Sequence, residues 1–191
     1  HIILFTTGRG TPFGAPAPTV KIATNTDLFT RKPGWLDFNA GAAAQGEPLD
    51  AAGERLLAET EAVQPAAVLC VGQAGGRAAI TPEKVAINYM DGRIPDNAGR
   101  QPQDEPICPG GPDAYFTTLP VRRMAEHIHA AGIPAAVSYT AGTYVCNYLM
   151  YTLLDWAAEN CPELRGGFIH VPYAMEQLEG KPAGTPGMEL Q

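Results

Sequence analysis

The chain has 191 residues, 45% of them apolar and 17% charged, which is enough to bury one core of ordinary size and too little charge for a disordered segment over most of its length. A formal net charge of -7, with basic residues nowhere denser than pairs such as Arg122 and Arg123, argues against nucleic acid or an anionic membrane as partner. No apolar run approaches the roughly 18 residues that span a bilayer, and the first residues lack the parts of a signal peptide, so the cytosol is the expected compartment.

The chain opens at His1 rather than Met, which suggests a fragment or a processed product. Residues 1–7 (HIILFTT) form a short apolar, β-prone run and are expected to be a buried strand. Residues 8–19 (GRGTPFGAPAPT) are loop by composition, and residues 20–50 carry weak periodicity with turn signals such as Lys32-Pro33-Gly34. Ala, Leu and Glu at helical spacing predict a helix over 49–63, ended by Pro65. Residues 66–71 (AAVLCV) then run without interruption into Gly72-Gln73-Ala74-Gly75-Gly76, the pattern of a central parallel strand opening onto a loop. Residues 79–89 read as a strand pair or an extended arm carrying Glu83, and 93–112 as a long polar loop. A helix is predicted over 121–131 and a buried strand over 134–139 (PAAVSY), followed by the turn Thr140-Ala141-Gly142-Thr143. A long helix should run from there to about Asn160, and 166–173 (GGFIHVPY) reads as the last strand. From Glu176 onward no further packed element is expected. This alternation of strands and helices predicts an α/β fold, a three-layer sandwich with a mostly parallel central sheet, whose sites lie at the C-terminal strand ends.

The four cysteines, Cys70, Cys108, Cys146 and Cys161, have neither C-x-x-C spacing nor zinc-ligand spacing, so free thiols and no metal are expected. Cys146 falls three residues into the predicted long helix, after a strand and a glycine-containing turn. A helix start favours a thiolate, lowers the thiol pKa and presents N–H groups to an oxyanion. A free cysteine is more often a small buried hydrophobe, however. His170 within an apolar strand reads first as a hydrogen-bonded core histidine, and Glu83 by itself as a solvated carboxylate. His127 and His129, two apart on a helix, point to different faces and cannot share a metal. Taken together, Glu83, Cys146 and His170 could supply an orienting carboxylate, a nucleophile and a base, the set that acyl transfer by cysteine needs.

Three long segments carry a specific resemblance. Residues 68–97 (VLCVGQAGGRAAITPEKVAINYMDGRIPDN), 133–151 (IPAAVSYTAGTYVCNYLMY) and 165–177 (RGGFIHVPYAMEQ) resemble the central, nucleophile and histidine motifs of the pyroglutamyl peptidase I family, in that order and with compatible spacing. The resemblance covers about residues 56–177. It implies Glu83, Cys146 and His170 as a catalytic triad, Arg93 near the acyl carbonyl, and Gln73 in the substrate pocket. The implied activity is removal of N-terminal pyroglutamyl residues from peptides through an acyl-enzyme, with no cofactor. Because the family tends to oligomerise, a homo-oligomer is implied as well.

Residues 4–41 (LFTTGRGTPFGAPAPTVKIATNTDLFTRKPGWLDFNAG) instead resemble the C-terminal part of the altronate and galactarate dehydratases. The chain therefore reads as a dehydratase-like segment, 1–55, that could supply the first strand, joined to a peptidase-like core, 56–191, without the family's final helix. The peptidase family opens on a strand and a loop whose two phenylalanines wall the pocket. Here Phe13 falls on the second of those positions and Gly10 replaces the first, although Phe13 also belongs to the dehydratase-like piece. Two other readings follow from this junction: an inactive α/β remnant, and a fragment of a sugar-acid dehydratase.

Overall fold

A computed structural model describes residues 2–7, 19–23, 26–31, 38–42, 48, 51, 53–56, 58, 62, 65–95 and 99–189. The chain divides into two compact units, His1–Leu69 with Arg93–Gln101, and Cys70–Gly92 with Pro102–Gln191. Among the described residues no helix is long and apolar enough to cross a membrane.

In the first unit the run predicted at the N-terminus forms β1 (Ile2–Thr7), which pairs in parallel with β2 (Thr19–Ala23), with Leu4 opposite Val20. A short helix α1 (Thr26–Arg31) leads to β3 (Phe38–Asn39), parallel to β2. Parallel strands need such crossovers, and this one closes over Ala23 and Leu28, both buried, with Phe29 packed on them. Asn39 holds the corner: its Oδ1 accepts the Gly41 N–H at 2.9 Å, and its amide donates to Thr26 Oγ1 at 3.2 Å. The described positions of the helix expected over 49–63 are helical at 51, 53–56, 58 and 62. The guanidinium of Arg55 lies 4.7 Å from the centre of the buried Phe38 ring.

The apolar run at 66–71 forms β4 (Ala67–Gln73), within which the division between the units falls. The second unit then contains β5 (Thr81–Pro82), β6 (Val85–Ile87), β7 (Ala114–Phe116), α2 (Val121–Ala130), α3 (Val145–Asn160), β8 (Arg165–Val171), β9 (Tyr173–Ala174) and β10 (Gly187–Met188). β8 lies between β4 and β5 and is antiparallel to β5. Residues 166–170 of β8 are all buried, which is why this strand reads as an unbroken apolar run. α3 covers it with Met150, Tyr151, Leu154 and Ala157, a single face at helical spacing. The Tyr151 hydroxyl, carried into that core, donates to the Pro112 carbonyl at 2.8 Å and so is not stranded there.

Two expectations fail in this unit. The segment 134–139 is not a buried strand but a half-exposed edge. It meets β5 through single parallel bridges, Ile80 with Ala135 and Glu83 with Ser138, and Tyr139 is 65% exposed. An edge has a neighbour on one side only, so its apolar composition signals partial cover rather than a central position. The tail is not free of structure either. After a 3-10 turn (Met175–Leu178), the chain returns so that β10 pairs in parallel with β9. Strands of two residues are too short for any periodicity to show.

Candidate active site

The site is built on the ends of β4 and β8, the stretch between β5 and β6, and the start of α3. Glu83 follows β5, where its backbone N–H donates to the Phe168 carbonyl at 2.9 Å and it bridges Ser138 on the other side. Held between two neighbours, it is completely buried, against the expectation of a solvated carboxylate. His170, 4% exposed, projects from β8 opposite Thr81 of β5, and its Nδ1 lies 2.6 Å from Glu83 Oε1. Burial alone pushes the Glu83 carboxyl up, but the hydrogen bonding of His170, Ser138 and Arg77 and the charge of Arg77 outweigh it and hold the group below the usual carboxylate range. An ionised carboxylate can only accept, so Nδ1 of His170 carries the proton and Nε2 is left as the free nitrogen.

Cys146 is the second residue of α3, one position nearer the helix start than predicted, and half-buried. Its sulfur lies beside β4: a Cβ built on Gly72 would sit 3.3 Å from Sγ and 2.7 Å from Phe168 Cζ. The Phe168 ring in turn packs against the His170 imidazole, with centroids 4.8 Å apart. Gly72, Phe168, His170 and Cys146 thus form one contiguous wall. Among the described residues no hydrogen bond joins Cys146 to His170. The thiol departs from the expected lowering at a helix start: burial pushes it up, the Glu83 carboxylate adds to that, and the Arg77 guanidinium opposes it. Asn147, next to Cys146 and 1% exposed, pins this end of the helix to the β6 arm. Its Oδ1 accepts the Ile87 N–H at 2.9 Å, and its Nδ2 donates to the carbonyls of Ile87 at 2.8 Å and Tyr89 at 3.1 Å.

The comparison with known proteins bears on this cluster. A sequence model of the pyroglutamyl peptidase family matches residues 49–191, three quarters of the chain. The chain belongs to the pyroglutamyl peptidase family. It is 62% identical over 127 residues to the pyrrolidone-carboxylate peptidase of Bacillus subtilis (strain 168), covering 66% of this chain and 58% of that relative. To the enzyme of the same name from Streptococcus pyogenes serotype M5 (strain Manfredo) it is 56% identical over 130 residues, covering 68% and 60%. The chain therefore spans about three fifths of the length of these curated relatives. In three dimensions it is similar to the crystal structure of Bacillus amyloliquefaciens pyroglutamyl peptidase I, with a TM-score of 0.73 and 38% identity over 98% of this chain and 88% of the other. A mutant pyrrolidone carboxyl peptidase from P. furiosus gives a TM-score of 0.72 and 32% identity over 99% and 90%. The α/β sandwich expected from the sequence is the fold of these structures. The dehydratase-like N-terminus is supported too: a model of the D-galactarate/altronate dehydratase C-terminal region matches residues 1–84.

The other residues singled out from the sequence are distributed unevenly. Gln73, at the end of β4, is exposed, and its Nε2 donates to Gln177 Oε1 at 2.6 Å, so this amide is already engaged. Arg93 is exposed and belongs to the first unit, whereas Glu83, Cys146 and His170 share the second. Phe13 lies outside the described residues. Among the described residues no three of His, Cys, Asp and Glu are grouped to hold a metal. Cys70 is buried in β4 with its thiol pushed up to about 12, while Cys108 and Cys161 are half-buried; all four cysteines are free thiols. The two helix histidines, His127 and His129, are both exposed.

Sequence reasoning missed Arg77. Its Nη1 donates to Glu83 Oε1 at 2.6 Å and also to Thr81 Oγ1, and its Nη2 donates to the Thr140 carbonyl at 3.0 Å. The available signal was an arginine placed directly after a Gly-Gly turn at a strand end, six residues before the carboxylate.

Proposed function

We propose that this chain hydrolyses the bond after an N-terminal pyroglutamyl residue, with Cys146 as nucleophile, His170 as acid and base, and Glu83 as the group that fixes the imidazole. The observation that carries this reading is the 2.6 Å contact between Glu83 Oε1 and His170 Nδ1, held out of water behind the wall that contains Cys146. It commits Nδ1 to the carboxylate and reserves Nε2 for the thiol. Because burial and Glu83 hold the thiol up, it stays protonated at rest, and His170 takes its proton as the sulfur attacks the pyroglutamyl carbonyl. His170 then returns a proton to the departing amine, and water, deprotonated by the same nitrogen, hydrolyses the acyl-enzyme. The first turn of α3 has no side-chain cap, and its N–H groups are suited to the oxyanion. Arg93, Gln73 and Phe13 remain substrate-binding candidates from the family resemblance.

The test is release of a fluorogenic amine from its pyroglutamyl amide. The chain should turn it over, Cys146→Ser should reduce kcat by at least about 10³-fold, and His170→Ala should behave similarly. Turnover that survives Cys146→Ser would overturn the mechanism. The dehydratase-like match over residues 1–84 favours a second reading, checked by the same preparation. Consumption of galactarate or altronate would establish it, and their persistence would count against it.

A further inference from the structure

Arg77 reaches the site because of a turn. The chain leaves β4 through Ala74-Gly75-Gly76-Arg77, closed by the Arg77 N–H on the Ala74 carbonyl at 3.3 Å, with Gly76 at φ +95°. That positive φ at the third position is what glycine allows, and it sends the next residue back toward β5. The guanidinium then meets three groups from separate places in the chain: the Thr81 hydroxyl on β5, the Thr140 carbonyl in the turn before α3, and Glu83 Oε1. A guanidinium, with its N–H donors fixed in a planar fork, suits three acceptors spread over separate parts of the chain.

Resting on the mechanism proposed above, we infer that Arg77 is the positioning residue of this site: it fastens Glu83 through the same oxygen that His170 uses and offsets the carboxylate charge at the Cys146 sulfur. Glu83 has no exposure to water, so its ionised form depends on the donors it receives, from His170, Ser138 and Arg77. His170 supplies one donor, its Nδ1–H, on a ring whose own charge changes during the reaction. Arg77 supplies a permanent one. It is also the positive charge that lowers the Cys146 thiol against burial and against Glu83. The ionisable groups facing that sulfur come from every side of the site. They are Cys70 from β4, Arg77 from the turn after it, Glu83 from the β5–β6 stretch, and His170 of β8 through its bond to Glu83.

The experiment is the pH dependence of Cys146 alkylation by iodoacetamide, followed by peptide mapping, alongside kcat. Arg77→Met should move the alkylation midpoint up by about one pH unit, so that alkylation well below the midpoint is roughly tenfold slower. Arg77→Lys should keep the midpoint near wild type, because the charge remains, yet lose about tenfold in kcat, because one ammonium cannot replace the fork. Glu83→Gln should move the midpoint down. If Arg77→Met does not fold, as judged by circular dichroism, Arg77→Gln replaces it, since it keeps a donor for Thr140 while removing the charge. A neutral variant that folds and leaves the midpoint unchanged overturns the inference. Its failure is separable from that of the mechanism: turnover by Cys146→Ser sinks the triad, whereas an inert Cys146→Ser with an unmoved Arg77→Met midpoint sinks only the role of Arg77.

Discussion

Gly72 lies against both Phe168 and the Cys146 sulfur, and replacing it tests the geometry of the whole wall. An alanine Cβ there would stand 2.7 Å from Phe168 Cζ, 3.0 Å from Phe168 Cε1 and 3.3 Å from Cys146 Sγ, against 3.4 Å or more in ordinary contact. The ring must therefore retreat by about 0.7 Å, but Phe168 is 2% exposed and already packed on the His170 imidazole. Over-packing of this kind costs about 1–3 kcal/mol, which for a chain of this size lowers the melting temperature by roughly 2–4 °C per kcal/mol. The chemistry should suffer more than the fold. Pushing Phe168 tilts the imidazole away from a nucleophile that must meet it, and displacements near 1 Å cost on the order of 100-fold in rate. Gly72→Ala is thus expected to melt a few degrees lower while losing about two orders of magnitude in kcat on a pyroglutamyl amide, with little change in KM. A variant with wild-type melting and wild-type turnover would refute the claim that Phe168, His170 and Cys146 are packed as one unit.

Two further outcomes concern buried ionisable groups. Glu83 is held below its unfolded value of about 4.3, so its ionic contribution to stability is complete above that pH and is lost as pH falls through the folded value. Glu83→Gln should therefore be less stable at pH 7, by about 3–5 kcal/mol for breaking a buried pair, and show a flatter acid limb in denaturant titrations between pH 5 and 3; an unchanged limb would contradict this. Cys70 is the opposite case. With the folded thiol at about 12, the unfolded chain loses its proton first, so stability falls as pH rises above about 8.5. Cys70→Ala should blunt that alkaline fall, and in the native protein Cys70 should escape alkylation at pH 8 while Cys146 is labelled. Early labelling of Cys70 would show that β4 opens readily.

What the sequence disclosed follows from how much of each signal is local. The strands at 2–7, 67–73 and 165–171 are long, apolar and bounded by turn residues, so composition alone located them. The edge at 134–139 has the same composition with half the cover, and no local pattern separates one neighbour from two. Glu83 looked solvated because its burial is made by partners far along the chain, the Phe168 carbonyl and Ser138. Arg77 drew no attention in the sequence, since its three acceptors converge only after folding. The thiol was misjudged for a related reason: the helix start is visible in the sequence, whereas the desolvation that outweighs it is not. The family resemblance supplied the pairing of Glu83 with His170, which periodicity could not.

The energetics of the cluster argue that it was not kept for stability. Burying a carboxylate costs several kcal/mol even after relaxation, and pairs replaced by apolar residues of similar volume are often neutral or better. Here two of its donors, the Arg77 guanidinium and the His170 imidazole, converge on the same oxygen, Oε1. A site optimised for folding alone would share the donors between both oxygens or do without the charge. Crowding both donors onto one oxygen, beside an imidazole whose other nitrogen is free and a sulfur on the same wall, makes sense if the carboxylate must hold the ring in one orientation while its charge changes. On that argument, apolar replacement of Glu83 and Arg77 together, as Glu83→Leu with Arg77→Met, should recover much of the stability that Glu83→Gln loses, while turnover stays absent. A double variant that is both less stable than Glu83→Gln and equally inactive would show that the charges do serve the fold.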